Sequence, residues 1–201
     1  MPPEFRPHSQ VRDAMVEHFP RLENVAWRRA SPFDRNYKCI AWSACRTDTI
    51  WWPDPSNPLP VGVHWPPWAA RDEKVQTFVQ VFAALGYEVC DNDVFEFGYQ
   101  KVAIYALNED HVTHMARQHF LGKGWLSKPG MLEDIVHSNL QCIETHPDGL
   151  SDYGTVRCVM KRSWRTRLAG PCLVRCFWHA MKFWVYRAVW QVLEIKWKLT
   201  Q

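Results

Sequence analysis

A cysteine and a later histidine have the types and the order that nucleophilic catalysis requires. Cys39 follows the turn-rich segment 31–36, and small residues alternating with Ile and Trp after it predict a buried helix that begins near Cys39. His114 lies in a run that predicts a strand. A thiol becomes a nucleophile when its pKa falls, which a helix N-terminus or a nearby imidazolium can cause. The pattern predicts Cys39 as nucleophile and His114 as base, while an inert buried cysteine remains the alternative.

A third residue should orient the imidazole, as in other nucleophile–histidine sites. The strand after His114 is predicted to form a hairpin through the turn 121–124, and its partner strand offers Ser127. Asp134 lies a little beyond that strand, and Lys128 beside Ser127 is expected to be a solvated lysine. Ser127 is therefore the predicted orienting residue, although it is a weaker one than Asn or Asp.

The elements that must position these residues predict an α+β domain over residues 1–160. Periodic apolar residues predict helices at 11–19 and 72–85, and Gly86 ends the second of them. Runs of alternating residues predict a mostly antiparallel sheet. The predicted strands are 87–90, 101–107, 112–120, 125–128 and 155–161, with a short helix at 132–142.

Composition limits the classes of site that the chain can carry. The 201 residues include seven cysteines without a C-x-x-C pair, which argues against a disulfide framework and a four-cysteine zinc site. His111, His114 and His119 do not share one face of a strand, so no metal site is expected there. No cofactor is indicated. The start of the sequence lacks a signal-peptide pattern, and no uncharged apolar run reaches membrane-spanning length, so a cytoplasmic location is predicted.

Charge separates a tail, residues 161–201, from the domain. Residues 1–156 contain 14 Lys and Arg against 20 Asp and Glu, whereas residues 157–201 contain 10 against one. The tail begins with a basic cluster and continues as a predicted helix over 171–199 that carries four tryptophans. The basic cluster is Lys161, Arg162, Arg165 and Arg167, and the tryptophans are Trp178, Trp184, Trp190 and Trp197.

Three partners remain open for the tail helix: an anionic membrane surface, a partner protein or second copy, and its own domain. A peripheral membrane position is compatible with the first of these. Cys172, Cys176 and His179 share one helical face, where packing is favoured over a metal site. No motif for reading nucleic acid is present.

Several segments together resemble a family of uncharacterised bacterial proteins. That family carries N-C-I-A-W-A, then T-H-A-A-R-Q, then G-x-W-T-S-K-L-G. The resemblance covers roughly residues 35–157, and its main matching segments are 39–42, 113–118 and 124–128. It implies a papain-like arrangement, in which a helix-borne cysteine packs on a small antiparallel sheet. One departure is Lys38, where the family has Asn; Asn36 is the nearby candidate for that polar role.

Two functions follow as hypotheses. The first is a cysteine-dependent hydrolase or transferase that acts on a peptide, isopeptide or amide bond of a peptide or protein substrate. The loop 47–70 holds six of the fourteen prolines and four tryptophans, which either cap the core or line a substrate cleft. Trp42, Trp52 and Trp65, with Asn36, are the predicted binding residues. The second is an inactive binding module that acts through the Trp-rich loop and the basic tail helix.

Overall fold

A mixed α+β architecture is seen in the computed structural model, which describes residues 6–166 and 170–199. A seven-stranded sheet forms its centre, and every neighbouring pair of strands is antiparallel. The strand order is β1-β8-β7-β6-β5-β9-β4. These strands are β1 (Trp27–Arg29), β4 (Glu88–Cys90), β5 (Tyr99–Ala106), β6 (Val112–Gln118), β7 (Trp125–Ser127), β8 (Ile135–His137) and β9 (Thr155–Ser163). Two short parallel strands, β2 (Ile50–Trp51) and β3 (Val63–His64), lie outside that sheet.

Two clusters of buried side chains lie against the sheet, one on each face. The α-helices of the chain are α1 (His8–His18), α2 (Cys39–Ser43), α3 (Val75–Ala84) and α4 (Gly170–Lys198), and 3₁₀ helices lie at Pro20–Asn24 and Leu140–Ile143. Helices α2 and α3 pack on the face that carries Ile104 and Met115. Helix α1 and both 3₁₀ helices cover the face that carries Tyr105 and Ala116. Successive strand residues point to opposite faces, so adjacent residues of β5 and β6 serve different clusters.

The predicted helix at 72–85 is confirmed as α3. Its apolar residues recur at helical spacing, and the buried ones include Val75, Phe78 and Phe82. Gly86 follows the helix with φ of 87°, and its N–H donates to the carbonyl of Ala83. A left-handed conformation at this position favours glycine, as the sequence predicted.

The structure differs from the predicted secondary structure in three places. Residues 132–142 do not form one helix, because β8 pairs there with β7 and with β1 before the 3₁₀ helix begins. Strand β1 was not predicted. Strand β9 continues to Ser163, which pairs with Tyr99, so the sheet extends past the predicted domain boundary at 160. Arg162 is 5% exposed and stacks on Tyr87, so it belongs to the core and not to a basic surface cluster.

Helix α4 contacts the domain through polar groups. The Arg29 guanidinium lies 3.8 Å from the ring centroid of Trp190. The N–H of His8 donates to Glu194, and Arg175 donates to the carbonyl of Cys45, whose sulfur is in a disulfide. That disulfide was not expected from the sequence. Predictions for Arg167 and for the side chains of Cys172, Cys176, His179, Trp184 and Trp197 lie outside the described residues.

Candidate functional site

Cys39 begins helix α2, as the sequence predicted. Its side chain is 8% exposed, and its sulfur is unbonded to any other cysteine. The backbone N–H of Met115, the residue that follows His114 on β6, lies near the sulfur and lowers the pKa of the thiol, although burial raises it more. The backbone N–H groups of Ile40 and of Cys39 itself also lie against the sulfur. The thiol therefore sits at the backbone of the strand that carries the imidazole.

His114 is fully buried at the start of a hydrogen-bonded chain of side chains. Its Nε2 lies 3.1 Å from Oγ of Ser127, and that oxygen lies 2.9 Å from Nε2 of His137. His137 Nδ1 is 2.7 Å from the carbonyl oxygen of Asn139. The structure thus brings the predicted orienting residue, Ser127, to the predicted base, and places a second histidine behind it.

The direction of each hydrogen bond in this chain follows from its last member. A carbonyl oxygen only accepts, so His137 carries its proton on Nδ1 and its Nε2 accepts from the Ser127 hydroxyl. With its own proton so used, Ser127 Oγ accepts from His114 Nε2–H. His114 therefore presents a basic lone pair at Nδ1, and this atom is buried without a hydrogen-bond partner among the described residues. A buried polar atom without a partner is costly and calls for an explanation.

The thiol lies at the β7-side edge of β6, on the face of the sheet that α2 covers. His119 donates its N–H to Gly124 on the β7 side, and every second N–H of an antiparallel strand points the same way. The Met115 N–H therefore points toward the β7 side, where β7 has already ended at Ser127. The thiol lies near that position, whereas the His114 ring points to the other face of the sheet, where it contacts Tyr105 and Ser127. No hydrogen bond joins Cys39 Sγ to either nitrogen of the His114 ring.

Tyr153 packs against the His114 ring and interacts electrostatically with Cys39. Its ring is stacked on the His114 ring, with 4.3 Å between centroids and 5° between planes. Burial raises the pKa of its hydroxyl, and the neighbouring Cys39 raises it further. Tyr153 is thus close to both the thiol and the imidazole, and it closes one side of the histidine ring to water.

Burial keeps both reacting groups neutral in the resting protein. It raises the pKa of the Cys39 thiol above its usual range, and it lowers the pKa of His114 to about 3, with His137 contributing in the same direction. The pKa of His137 is lowered to about 4 by burial. The lowered thiol pKa that the helix position suggested is absent, because loss of hydration outweighs the hydrogen bonds to sulfur.

Lys128 and Asp134 form an ion pair on the opposite face, apart from the imidazole. Both side chains are fully buried, and Lys128 Nζ lies 3.7 Å from Asp134 Oδ1. The Tyr37 hydroxyl donates to the other carboxylate oxygen at 2.6 Å. The expectation that Lys128 is solvated is therefore wrong, and Asp134 does not serve His114.

The predicted binding residues are dispersed. Trp42 is 3% exposed, with Tyr37 stacked on it and the Arg117 guanidinium 4.4 Å from its ring centroid. Trp65 is also 3% exposed and donates to the carbonyl of Ala70. Both rings belong to the core and leave no face for a ligand. Trp52 packs against the core but is partly exposed, and Asn36 is exposed in a turn.

Sequence reasoning missed His137, Asn139 and Tyr153. His137 had a signal, because a strand at 135–137 would place its side chain beside Ser127 on one face. The prediction of a helix over this segment concealed that signal. In the described part of the chain, no group of three or more His, Cys, Asp or Glu residues is arranged to hold a metal ion.

Comparison with known proteins gives one match. Residues 28–161 match the model of a family described as Domain of unknown function (DUF7689). That segment runs from within β1 to within β9, and it contains every residue of the site described above. No curated protein and no solved structure matches the chain.

Proposed function

We propose that this chain, which belongs to the DUF7689 family, is a cysteine-dependent hydrolase or transferase that acts on a peptide, isopeptide or amide bond. The observation that carries the proposal is the unpartnered Nδ1 of His114, held as a lone pair by the Ser127–His137–Asn139 chain. A helix-borne thiol, a strand-borne imidazole and an orienting residue on the next strand are also the order of papain-like enzymes. This order extends the proposal to a papain-like core.

In the proposed reaction, the Cys39 thiol and the His114 imidazole are both neutral before the thiol attacks. As Cys39 Sγ attacks the substrate carbonyl carbon, His114 Nδ1 takes the thiol proton, and the Cys39 N–H stabilises the developing oxyanion. Collapse of the tetrahedral intermediate breaks the C–N bond, and Nδ1–H gives its proton to the leaving amine. Water, or an acceptor amine, then attacks the thioester with His114 again as base, which releases the acyl product and restores the thiol.

A test uses p-nitrophenyl acetate, which carries a small acyl group and a coloured leaving group. We expect acetylation of Cys39 by mass spectrometry, and loss of nitrophenolate release in the Cys39→Ser variant. Cys158→Ser is the matched control, because Cys158 is a free, half-buried cysteine on β9 outside the site. Equal acetylation of the free cysteines, with turnover unchanged in Cys39→Ser, would overturn the proposal.

A second function, docking of the tail to an anionic membrane surface, is favoured by one face of α4. Among the side chains that the structure describes, eight large apolar ones on this helix and Leu199 directly after it are 47–82% exposed. Their 3–4 residue spacing places them on one face. They are Val174, Phe177, Trp178, Met181, Val185, Val189, Val192, Ile195 and Leu199, here called the apolar stripe.

Charge favours a lipid surface over a second copy of the chain. Lys182 lies along one edge of the apolar stripe, Lys196 lies within it and Lys198 lies beyond the other edge, and all three are exposed. A second copy would bring like charges together, whereas anionic lipid attracts each cation by about 1 kcal/mol. No helix in residues 6–166 and 170–199 has the length and apolar character to cross a bilayer, so the helix would lie along the surface.

Vesicle sedimentation tests this docking. We expect the full chain to bind phosphatidylserine-containing vesicles and not vesicles of phosphatidylcholine alone. Trp178→Ser together with Val185→Ser should weaken binding at least tenfold, because both side chains belong to the apolar stripe. Gln191→Ser, an exposed position outside the stripe, is the control. Failure to sediment with vesicles, with concentration-dependent dimers in solution, would assign the stripe to a second copy and refute the docking.

A further inference from the structure

A cavity of about 800 Å³ lies between strand β1 and helix α4. Its volume falls within the range of about 300–1,000 Å³ that is usual for ligand sites. Strands β8 and β7 separate β1 from β6, so this cavity is distinct from the site of Cys39 and His114. Its α4 wall is one face of the helix, formed by Arg187, Trp190, Gln191, Glu194, Ile195 and Lys198.

Strand β1 is an edge strand of the seven-stranded sheet, and it pairs with β8 alone among the described strands. The carbonyl of Ala26 accepts from, and the N–H of Ala30 donates to, residues that flank β8. Backbone groups alternate in direction along an antiparallel strand, so the N–H and C=O groups of Trp27 and Arg29 point away from β8. In residues 6–166 and 170–199, no backbone group pairs with them. An unpaired strand edge of this kind is a template for a further strand.

The cavity follows this unpaired edge. Neighbouring residues of a strand point to opposite faces of the sheet, and yet Arg28 and Arg29 both line the cavity. The cavity therefore extends around the edge of β1, where the unpaired backbone groups lie. With α4 as its other wall, the space has a strand edge on one side and a helix on the other. An extended peptide in such a space pairs with the strand edge through its backbone.

The side chains of the wall favour a peptide with an acidic residue. Arg29 stacks on Trp190 with 3.8 Å from the guanidinium to the ring centroid, which gives the cavity a rigid floor. Glu194 interacts with Arg29 and accepts a hydrogen bond from the backbone N–H of His8, so its charge is used within the protein. Lys198 is exposed at the end of the same helical face, and it makes no ion pair with any residue that the structure describes. Its ammonium group is the cation that a carboxylate of the peptide can reach.

We propose that the unpaired edge of β1 and the facing side of α4 bind an extended, acidic peptide segment of a partner protein, which adds to the sheet as an eighth strand. The N–H and C=O groups of Trp27 and Arg29 pair with the peptide backbone, Trp190 contacts its side chains, and Lys198 pairs with its acidic residue. About five residues of peptide match the edge from Ala26 to Ala30. The site acts by binding alone, so it stands independently of the proposed catalysis.

Fluorescence anisotropy of the fluorescein-labelled peptide Thr-Val-Glu-Val-Thr, titrated with the full chain, tests the site. We expect saturable binding. Methylation of two adjacent amide nitrogens of the peptide should weaken it at least tenfold, because neighbouring N–H groups point to opposite sides and one of them faces β1 in either register. Gln191→Trp should weaken binding at least tenfold, since it fills the cavity. Ala188→Trp, which adds the same side chain at an exposed position outside the cavity, should leave binding unchanged.

The acidic residue is tested separately. Replacement of the peptide Glu by Gln, and Lys198→Gln in the protein, should each weaken binding about two- to fivefold, as loss of an exposed ion pair does. The two changes together should weaken it no more than either alone, because they remove the same pair. Lys196→Gln is the matched control, since it removes the same charge from an exposed position of α4 outside the cavity.

Binding that survives both the amide methylation and Gln191→Trp would show that the peptide does not pair with β1, and would overturn the proposal. Absence of binding would overturn it as well. Equal effects of Lys198→Gln and Lys196→Gln would refute the ion pair with the acidic residue. Dimers of the chain that dissociate in Gln191→Trp and persist in Ala188→Trp would assign the edge to a second copy, and would contradict a partner peptide.

Discussion

Replacement of His114 by alanine should slow the acylation of Cys39 by p-nitrophenyl acetate about 10²–10⁴-fold, the usual contribution of a general base. The effect is expected to be this large because burial raises the pKa of the thiol. Without His114 the proposed mechanism has no base to take the thiol proton during attack. The measurement is the rate of nitrophenolate release, with Cys39 acetylation followed by mass spectrometry.

Two variants separate a base from a structural residue. Ser127→Ala should reduce the rate less than His114→Ala and act on kcat more than on KM, because it removes orientation and leaves the base in place. His111→Ala should leave the rate unchanged, since His111 is an exposed residue just before β6 that pairs with Glu73. If His114→Ala retains the wild-type rate while folded, His114 is not the base.

Acid should destabilise the protein beginning at about pH 6.5, through the two buried histidines. The pKa of His114 is lowered to about 3 and that of His137 to about 4, both from 6.5. Below pH 6.5 the unfolded chain binds protons that the folded chain excludes, so stability is full above that pH and falls as pH decreases. Each imidazole removes about 1.4 kcal/mol per pH unit, which makes about 2.7 for the pair.

Urea unfolding between pH 6.5 and 5 measures this slope. His137→Asn should reduce the slope by about 1.4 kcal/mol per pH unit, because one titrating imidazole is lost. Other groups that titrate in this range do so in both proteins, so the difference isolates His137. An unchanged slope in His137→Asn would show that this imidazole is not held neutral.

Periodicity predicted the parts of the fold that depend on one local pattern. Helix α3 and strands β5, β6 and β7 were found from alternating or 3.6-residue apolar spacing, and their ends moved by three residues or fewer. The segment 132–142 was misread because Leu132, Ile135, Val136 and Leu140 also fit helical spacing. Pairing with β1 and β7 overrides that pattern, and such pairing is not visible in local sequence.

The site was predictable only in part, for the same reason. Ser127 was found because a hairpin necessarily places β7 beside β6. His137 reaches Ser127 through the next strand pairing, which depends on the segment that was misread. Trp42, in the predicted helix after Cys39, and Trp65, in the aromatic loop, are predicted binding residues, whereas the structure encloses them with neighbouring rings and, for Trp42, a buried arginine. Desolvation of the thiol likewise depends on packing that sequence does not reveal.

Nitrogen NMR of the protein labelled with ¹⁵N-histidine would test directly whether Nδ1 of His114 carries a lone pair that responds to the Cys39 thiol. At pH 7 we expect His114 in the Nε2–H form, and we expect its Nδ1 resonance to shift when Cys39 is replaced by serine. A proton on Nδ1, or an Nδ1 resonance indifferent to that replacement, would contradict the geometry from which the activity is proposed.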